Sequence, residues 1–170
     1  QHKYREIARR EVRWEGWQLE DAEFAIVAYG TAARVARSAI AQARQNGIRV
    51  GLFRPITLWP FPERELARLS GRLHGILTVE LSSGQMVEDV RLAVEGRCPV
   101  AFHGRMGGLV PTPDEVLGAL KALRARVERT RSAGHHAHVP APTHPHGHDA
   151  DERFETDFPA HSNARRGGRR

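Results

Sequence analysis

Apolar positions along the chain recur with two different periods in turn, and the switches between them predict its elements. "AEFAIVAYG", from Ala22 to Gly30, is a compact apolar run closed by glycine, the pattern of a strand buried on both faces. Thr31 can then cap a helix whose apolar positions Ala32, Val35, Ala36, Ala39, Ile40 and Ala43 follow helical spacing. Arg34, Arg37 and Arg44 fall off that stripe, and Asn46-Gly47 stops it. The unit repeats. "IRVGLF", "GILTVEL" and "CPVAFHG" read as strands, while "PERELARL", "MVEDVRLAV" and "TPDEVLGALKALRARV" read as the helices that follow them. Thr112 and Glu115 form a capping box around Pro113 at the start of the last helix.

Strands alternating with helices over short connections predict an α/β fold, a three-layer α/β/α domain with a mostly parallel sheet, spanning residues 22–127. Gln1 to Arg13 has the charge density of an exposed helix, which "WEGWQLED" breaks at Gly16, and residues 1–21 read as a lead-in segment from an upstream domain. Residues 128–170 hold too few apolar side chains to offset an ordering cost of about 1–2 kcal/mol per residue, and read as a His-rich disordered tail.

The sharpest local feature is "GLFRPITLWPFPERELARL", from Gly51 to Leu69. Its strand runs into Pro60 and Pro62, which forbid continuation, and Pro62 suits a first helical turn. The result is a stiff strand-to-helix corner at a sheet edge, where open α/β folds place ligands or partners.

At 170 residues the chain has room for one ordinary domain plus some excess. The single Cys98 cannot form an intramolecular disulfide and has no CxxC neighbour, which fits a reduced, cytoplasmic setting. No window approaches the ~18 apolar residues of a membrane span, so a soluble protein with no membrane partner is expected. The net charge of +6 is spread evenly: residues 1–123 hold 17 basic and 14 acidic side chains, and residues 124–170 hold 9 and 6. No basic stripe with interleaved aromatics forms, and no nucleic-acid partner is expected.

In a parallel sheet the loops after the strands converge, and here they are "YGTA", "RPITLWPFP", "SSGQ" and "HGRMGG". Arg54 and Arg105, with the backbone amides of Gly107 and Gly108, can hold an anionic group. On the plainer alternative the glycines relieve tight turns and the arginines pair with Glu80 or another acid. Glu80 can serve as an acid or base if its pKa is raised; without a partner carboxylate it more naturally orients a loop or joins an interface. No nucleophile set is legible, so no catalytic residue is assigned. His74 and His103 stand alone and read as structural, while Trp59 and Phe61 suit either core or interface. His135, His136, His138, His144, His146 and His148 are ligands that nickel, copper or zinc accept. Prolines at 140, 142 and 145 keep the tract extended, which favours incidental metal affinity over a built site.

Four segments, "LEDAEFAIVAYGT", "VGLFRPITLWPFPE", "VELSSGQMVEDVRLAV" and "GRMGGLVPTPDEVL", occur in this order between Arg5 and Leu123. On them the chain resembles the C-terminal, transketolase C-terminal-like domain of the alpha subunit of 2-oxoacid:ferredoxin oxidoreductases, of the type acting on 2-oxoglutarate or branched-chain 2-oxoacids. The resemblance implies a complex that oxidatively decarboxylates 2-oxoacids with coenzyme A, giving acyl-CoA and reduced ferredoxin. Thiamine diphosphate with magnesium and iron–sulfur clusters would supply the chemistry from other domains and subunits. This chain would then be a split or truncated portion of the alpha subunit, binding no cofactor by itself and inactive alone. The implied partners are the alpha-subunit N-terminal domain, the beta subunit, a gamma subunit and, through the complex, ferredoxin. Arg54, Thr57, Trp59, Gln85, Met86 and Arg105 are the expected interface residues. Two readings stay open beside this one: the same domain in another thiamine-dependent enzyme of the transketolase and pyruvate dehydrogenase superfamily, and a His-rich metal-binding module.

Overall fold

Residues 6, 7 and 10–135 are described by the computed structural model. Residues 14–135 form, in order, β1 (Trp14–Trp17), β2 (Phe24–Ala28), α1 (Gly30–Gln45), β3 (Val50–Pro55), α2 (Glu63–Ser70), β4 (Gly75–Glu80), α3 (Met86–Val94), β5 (Val100–Gly104) and α4 (Pro113–His135). The sheet order is β1-β3-β2-β4-β5, with β3, β2, β4 and β5 parallel and β1 antiparallel to β3.

The runs that are apolar at nearly every position become the interior strands. β2 and β4 are buried along their whole length, whereas β5 at the border is half-exposed. Helices α1 and α4 cover one face, with Ala32, Ala36, Ala39 and Ile40 of α1 meeting Val116, Leu120 and Leu123 of α4 over Ile26, Leu52 and Val79. Helices α2 and α3 cover the other, with Leu66, Met86 and Val90 packed on Val27, Phe53 and Ile76. The alanine-rich face of α1 lets that helix sit close to the sheet.

Three local features depart from the sequence reading. "WEGW", read as part of a lead-in, is a fifth strand, paired from Trp14 opposite Pro55 to Trp17 opposite Leu52. Four residues with a central glycine carry no legible period; tertiary contacts hold them instead. Trp14 stacks on Phe53 with ring centroids 4.7 Å apart and planes 12° from parallel. Arg44 fastens the turn that follows, donating to the Gln18 carbonyl at 2.8 Å and to both Asp21 carboxylate oxygens at 2.7 and 3.1 Å. Second, α1 begins at Gly30 with Tyr29 as its N-cap and no side-chain cap, so Thr31 lies inside the helix. Third, α4 continues past Val127 to His135. Its last turns gain little burial but are supported locally: Arg124 donates to Glu128 at 2.7 Å, and the Ser132 hydroxyl donates to the Glu128 carbonyl at 3.0 Å. Residues 136–170 lie outside the described residues, and with them the remainder of the expected tail and His136, His138, His144, His146 and His148.

The predicted capping box is present: the Thr112 amide donates to Glu115 at 2.8 Å and the Glu115 amide donates to the Thr112 hydroxyl at 3.2 Å. No helix among the described residues is long and apolar enough to cross a membrane.

Gly51 lies directly under the turn after β1, and a Cβ there would stand 2.3 Å from the Gln18 carbonyl oxygen and 2.7 Å from its carbon. Because that obstacle is backbone, Gly51→Ala is expected to displace the turn that Arg44 holds and to lower stability by about 2 kcal/mol or more, read from the urea unfolding midpoint.

Candidate functional site

The four parallel strands end at one edge, where the loops after β2, β3, β4 and β5 meet. Its fixed point is Glu80, the last residue of β4, which is fully buried. Glu80 Oε2 accepts from the Ser82 hydroxyl at 2.7 Å and from the Gln85 and Met86 amides at 3.2 and 3.0 Å, while Oε1 accepts from the Val87 amide at 3.1 Å. The start of α3 leaves backbone amides without helical acceptors, and this carboxylate satisfies them from inside the core. Of the two plainer roles read for Glu80, these contacts are those of a loop-orienting group.

Both arginines proposed as anion holders have acid partners within the chain. Arg54 donates to Glu15 at 3.0 Å, bridging β3 to β1, although its buried Nε finds no acceptor. Arg105 pairs with Glu115 at the head of α4. Thr57 accepts from the Arg13 amide at 3.0 Å and donates to the Pro60 carbonyl at 2.9 Å, so it ties the proline corner to the chain entering β1. The Trp59-Pro60 peptide inside that corner is cis. Gly107 and Gly108 both have positive φ, at 73° and 78°, which turns the loop after β5 outward.

Trp59 is 63% exposed, but Met86 is buried among Val90, Phe53 and Ile76, and Phe61 is also in the core. Gln85 serves the edge through its backbone amide. His103 on β5 is half-buried, its Nε2 without a partner, and His74 sits at the far edge of the sheet, edge-on to Phe24 and 3.3 Å from Arg131.

The sequence reading missed what surrounds Trp59. Seven of the ten large apolar side chains exposed among the described residues belong to this edge: Ile56, Leu58 and Trp59 after β3, Leu81 after β4, and Met106, Leu109 and Val110 after β5. Their signal was available as apolar residues in loops, off any helical or strand stripe. Arg54 and Arg105, the charges that border these loops, are paired within the chain, so the loops themselves present an apolar rim around a rigid polar frame.

This edge does not fit a thiamine diphosphate or cluster site. Both Glu80 oxygens are engaged by the protein's own donors, so this buried carboxylate is not free for an aminopyrimidine. Cys98, the chain's one cysteine, is buried, and burial pushes its thiol up to about 11. Among the described residues no three His, Cys, Asp or Glu side chains gather as a metal site.

The fold is thus a mixed, mostly parallel sheet between two helical layers, with a loop edge rich in exposed apolar side chains. A family model described as pyruvate:ferredoxin oxidoreductase core domain II matches residues 22–116, and the chain belongs to that family. It is 48% identical over 123 residues to ketoisovalerate oxidoreductase subunit VorB of Methanothermobacter marburgensis, covering 72% of this chain and 35% of the relative. The 2-oxoglutarate synthase subunit KorA of the same organism is 32% identical over 110 residues, 65% of this chain and 29% of the relative. The chain thus spans about a third of the length of these relatives. In fold it resembles a 2-oxoglutarate:ferredoxin oxidoreductase from Magnetococcus marinus, with a TM-score of 0.58 at 22% identity over 65% of this chain and 19% of that one. A split-gene transketolase, described as an inactive beta4 tetramer, also has a TM-score of 0.58, at 19% identity over 66% of this chain and 41% of its own.

Two outcomes follow from the polar frame. Glu80→Ala strands two buried amides, at ~1–3 kcal/mol for each buried group left unsatisfied, and is expected to lower stability by about 2–4 kcal/mol in urea unfolding. The Thr112 amide, and then Arg105, hold the Glu115 carboxyl below its ordinary pKa. Glu115 therefore binds its proton less tightly folded than unfolded, so its contribution is present at neutral pH and lost as pH falls through the carboxylate range. Glu115→Gln should flatten that acid limb of the urea midpoint and leave the midpoint above pH 7 parallel to wild type.

Proposed function

We propose that this chain is a non-catalytic assembly domain of the alpha subunit of a 2-oxoacid:ferredoxin oxidoreductase, docking through its apolar rim onto the rest of the complex. The observation that carries the reading is the rim itself: Ile56, Leu58, Trp59, Leu81, Met106, Leu109 and Val110 stand exposed on loops whose few charges are already paired. Depletion of free charge with enrichment in Trp, Met and aliphatic side chains is the make-up of a permanent interface core. Stiffness favours the same role, since the proline corner and the Glu80 frame leave little conformational freedom to lose on docking.

In this reading the upstream alpha portion and the beta subunit are the direct partners, with a gamma subunit and ferredoxin engaged through the complex. Thiamine diphosphate with magnesium, iron–sulfur clusters and coenzyme A belong to those other parts, and the setting is the reducing cytoplasm. The branched-chain 2-oxoacid class is favoured over 2-oxoglutarate by the higher identity to the VorB subunits, 48% and 50%, than to KorA, 32%.

Viologen reduction with 3-methyl-2-oxobutanoate and with 2-oxoglutarate tests this in three mixtures: the chain alone, the upstream alpha portion plus beta subunit, and all three together. Turnover is expected only in the complete mixture. Trp59→Asp should lower co-purification and activity together by about tenfold, the scale of one lost hot-spot side chain. Turnover by the chain alone, or a mixture indifferent to it, would overturn the reading.

A further inference from the structure

We propose that the groove between edge strand β1 and helix α2 is a binding site for a small planar aromatic carboxylate, whose ring lies against Trp14 and whose acid group is held by Arg68 and Arg72. The groove has a volume of about 320 Å³ and is lined by Trp14, Glu65, Arg68, Leu69 and Arg72. It shares no lining residue with the apolar rim and does not depend on the assembly role.

Trp14 is a preset wall. Its ring is stacked on Phe53, which is fully buried, yet the residue keeps 38% of its surface exposed. An aromatic guest can stack on it without ordering a mobile side chain. Leu69, half-buried beside it, supplies an apolar floor.

The electrostatics specify the guest's charge. Arg44, Arg49, Arg54, Arg91, Arg97, Arg105 and Arg124 each pair with a carboxylate at 3.0 Å or closer. The two groove arginines do not. Arg72 donates to the backbone carbonyls of Leu19, Glu20 and Ala22. Those acceptors are neutral, so they fix the guanidinium in place and leave its charge uncompensated, with two of its five N–H groups still available. Arg68 has only Glu65 near it, at 4.0 Å, and its side chain is 80% exposed. Among the described residues, the groove therefore carries two cations against one anion. A carboxylate that reaches both guanidiniums completes the balance, and the planar fork of arginine suits a carboxylate's two oxygens. The volume sits at the low end of small-molecule sites, enough for one or two fused rings and too little for a dinucleotide.

The test uses the full 170-residue chain, ¹⁵N-labelled, titrated with 1-naphthoate and separately with its neutral amide, 1-naphthamide. The indole N–H resonances of Trp14, Trp17 and Trp59 report which tryptophan is touched. Naphthoate is expected to shift the Trp14 resonance and saturate, with the amide weaker by about tenfold, as expected for a lost charge-assisted contact. Arg68→Glu, an exposed change that leaves the fold intact, should weaken naphthoate at least as much, Glu65→Gln should tighten it a few-fold, and Trp14→Leu, followed by the backbone amide resonances of Arg68, Leu69 and Arg72, should abolish it. No saturating shift at millimolar naphthoate, equal affinity for acid and amide, or indifference to Arg68→Glu would each overturn the proposal. Tighter binding by a non-aromatic acidic peptide would overturn it as well, assigning the groove to a protein segment instead.

Discussion

Strands β2 and β4 are buried at every position, and the need to cover both of their faces organises the domain. Each fully buried Val, Leu or Ile contributes about 1.5–3 kcal/mol, so leaving either face open would forfeit several such terms at once. Helices α1 and α4 close one side and α2 and α3 the other. A parallel sheet with both faces closed has surface left only at its two borders and its two loop edges. The apolar rim lies at one loop edge, and the β1–α2 groove lies at the β1 border.

The loop edge shows how a polar framework can produce an apolar surface. Glu80 faces inward and satisfies the first amides of α3; Arg54 and Arg105 are turned to Glu15 and Glu115; Thr57 closes the proline corner onto the chain before β1. With the hydrogen-bonding groups occupied internally, the outward residues are Ile56, Leu58, Trp59, Leu81, Met106, Leu109 and Val110. A surface of that kind is costly in water and is stable over time when another protein covers it. The same framework ties up Glu80, since a buried carboxylate whose two oxygens hold the start of α3 and the Ser82 hydroxyl is not free for a guest.

Much of this architecture was legible beforehand because it depends on periodicity and on local chemistry. The continuous apolar runs of β2 and β4, the small-residue stripe of α1 and the Thr112–Glu115 box each specify their structure within a few residues. The interface candidates fared unevenly. Trp59 stands out on the surface, whereas Met86 turned inward, because helix α3 starts at Met86 and that position lies on its buried face. Nothing in "SSGQMVEDV" alone says whether Met86 faces outward or inward.

By itself the sequence determined the kind of fold, the order of the elements after Trp17, the edge at which its unusual loops gather, and that a single cysteine is present. These follow from spacing along one dimension. The tertiary structure decided the rest. It made a strand of Trp14–Trp17, chose Glu15 and Glu115 as the partners of Arg54 and Arg105, enclosed Glu80 among amides five to seven residues away, and set Trp14 beside the arginines of α2 and the turn after it. Each of those outcomes pairs groups brought together only when the sheet closes, and a linear pattern carries no record of which distant charge or ring will be nearest.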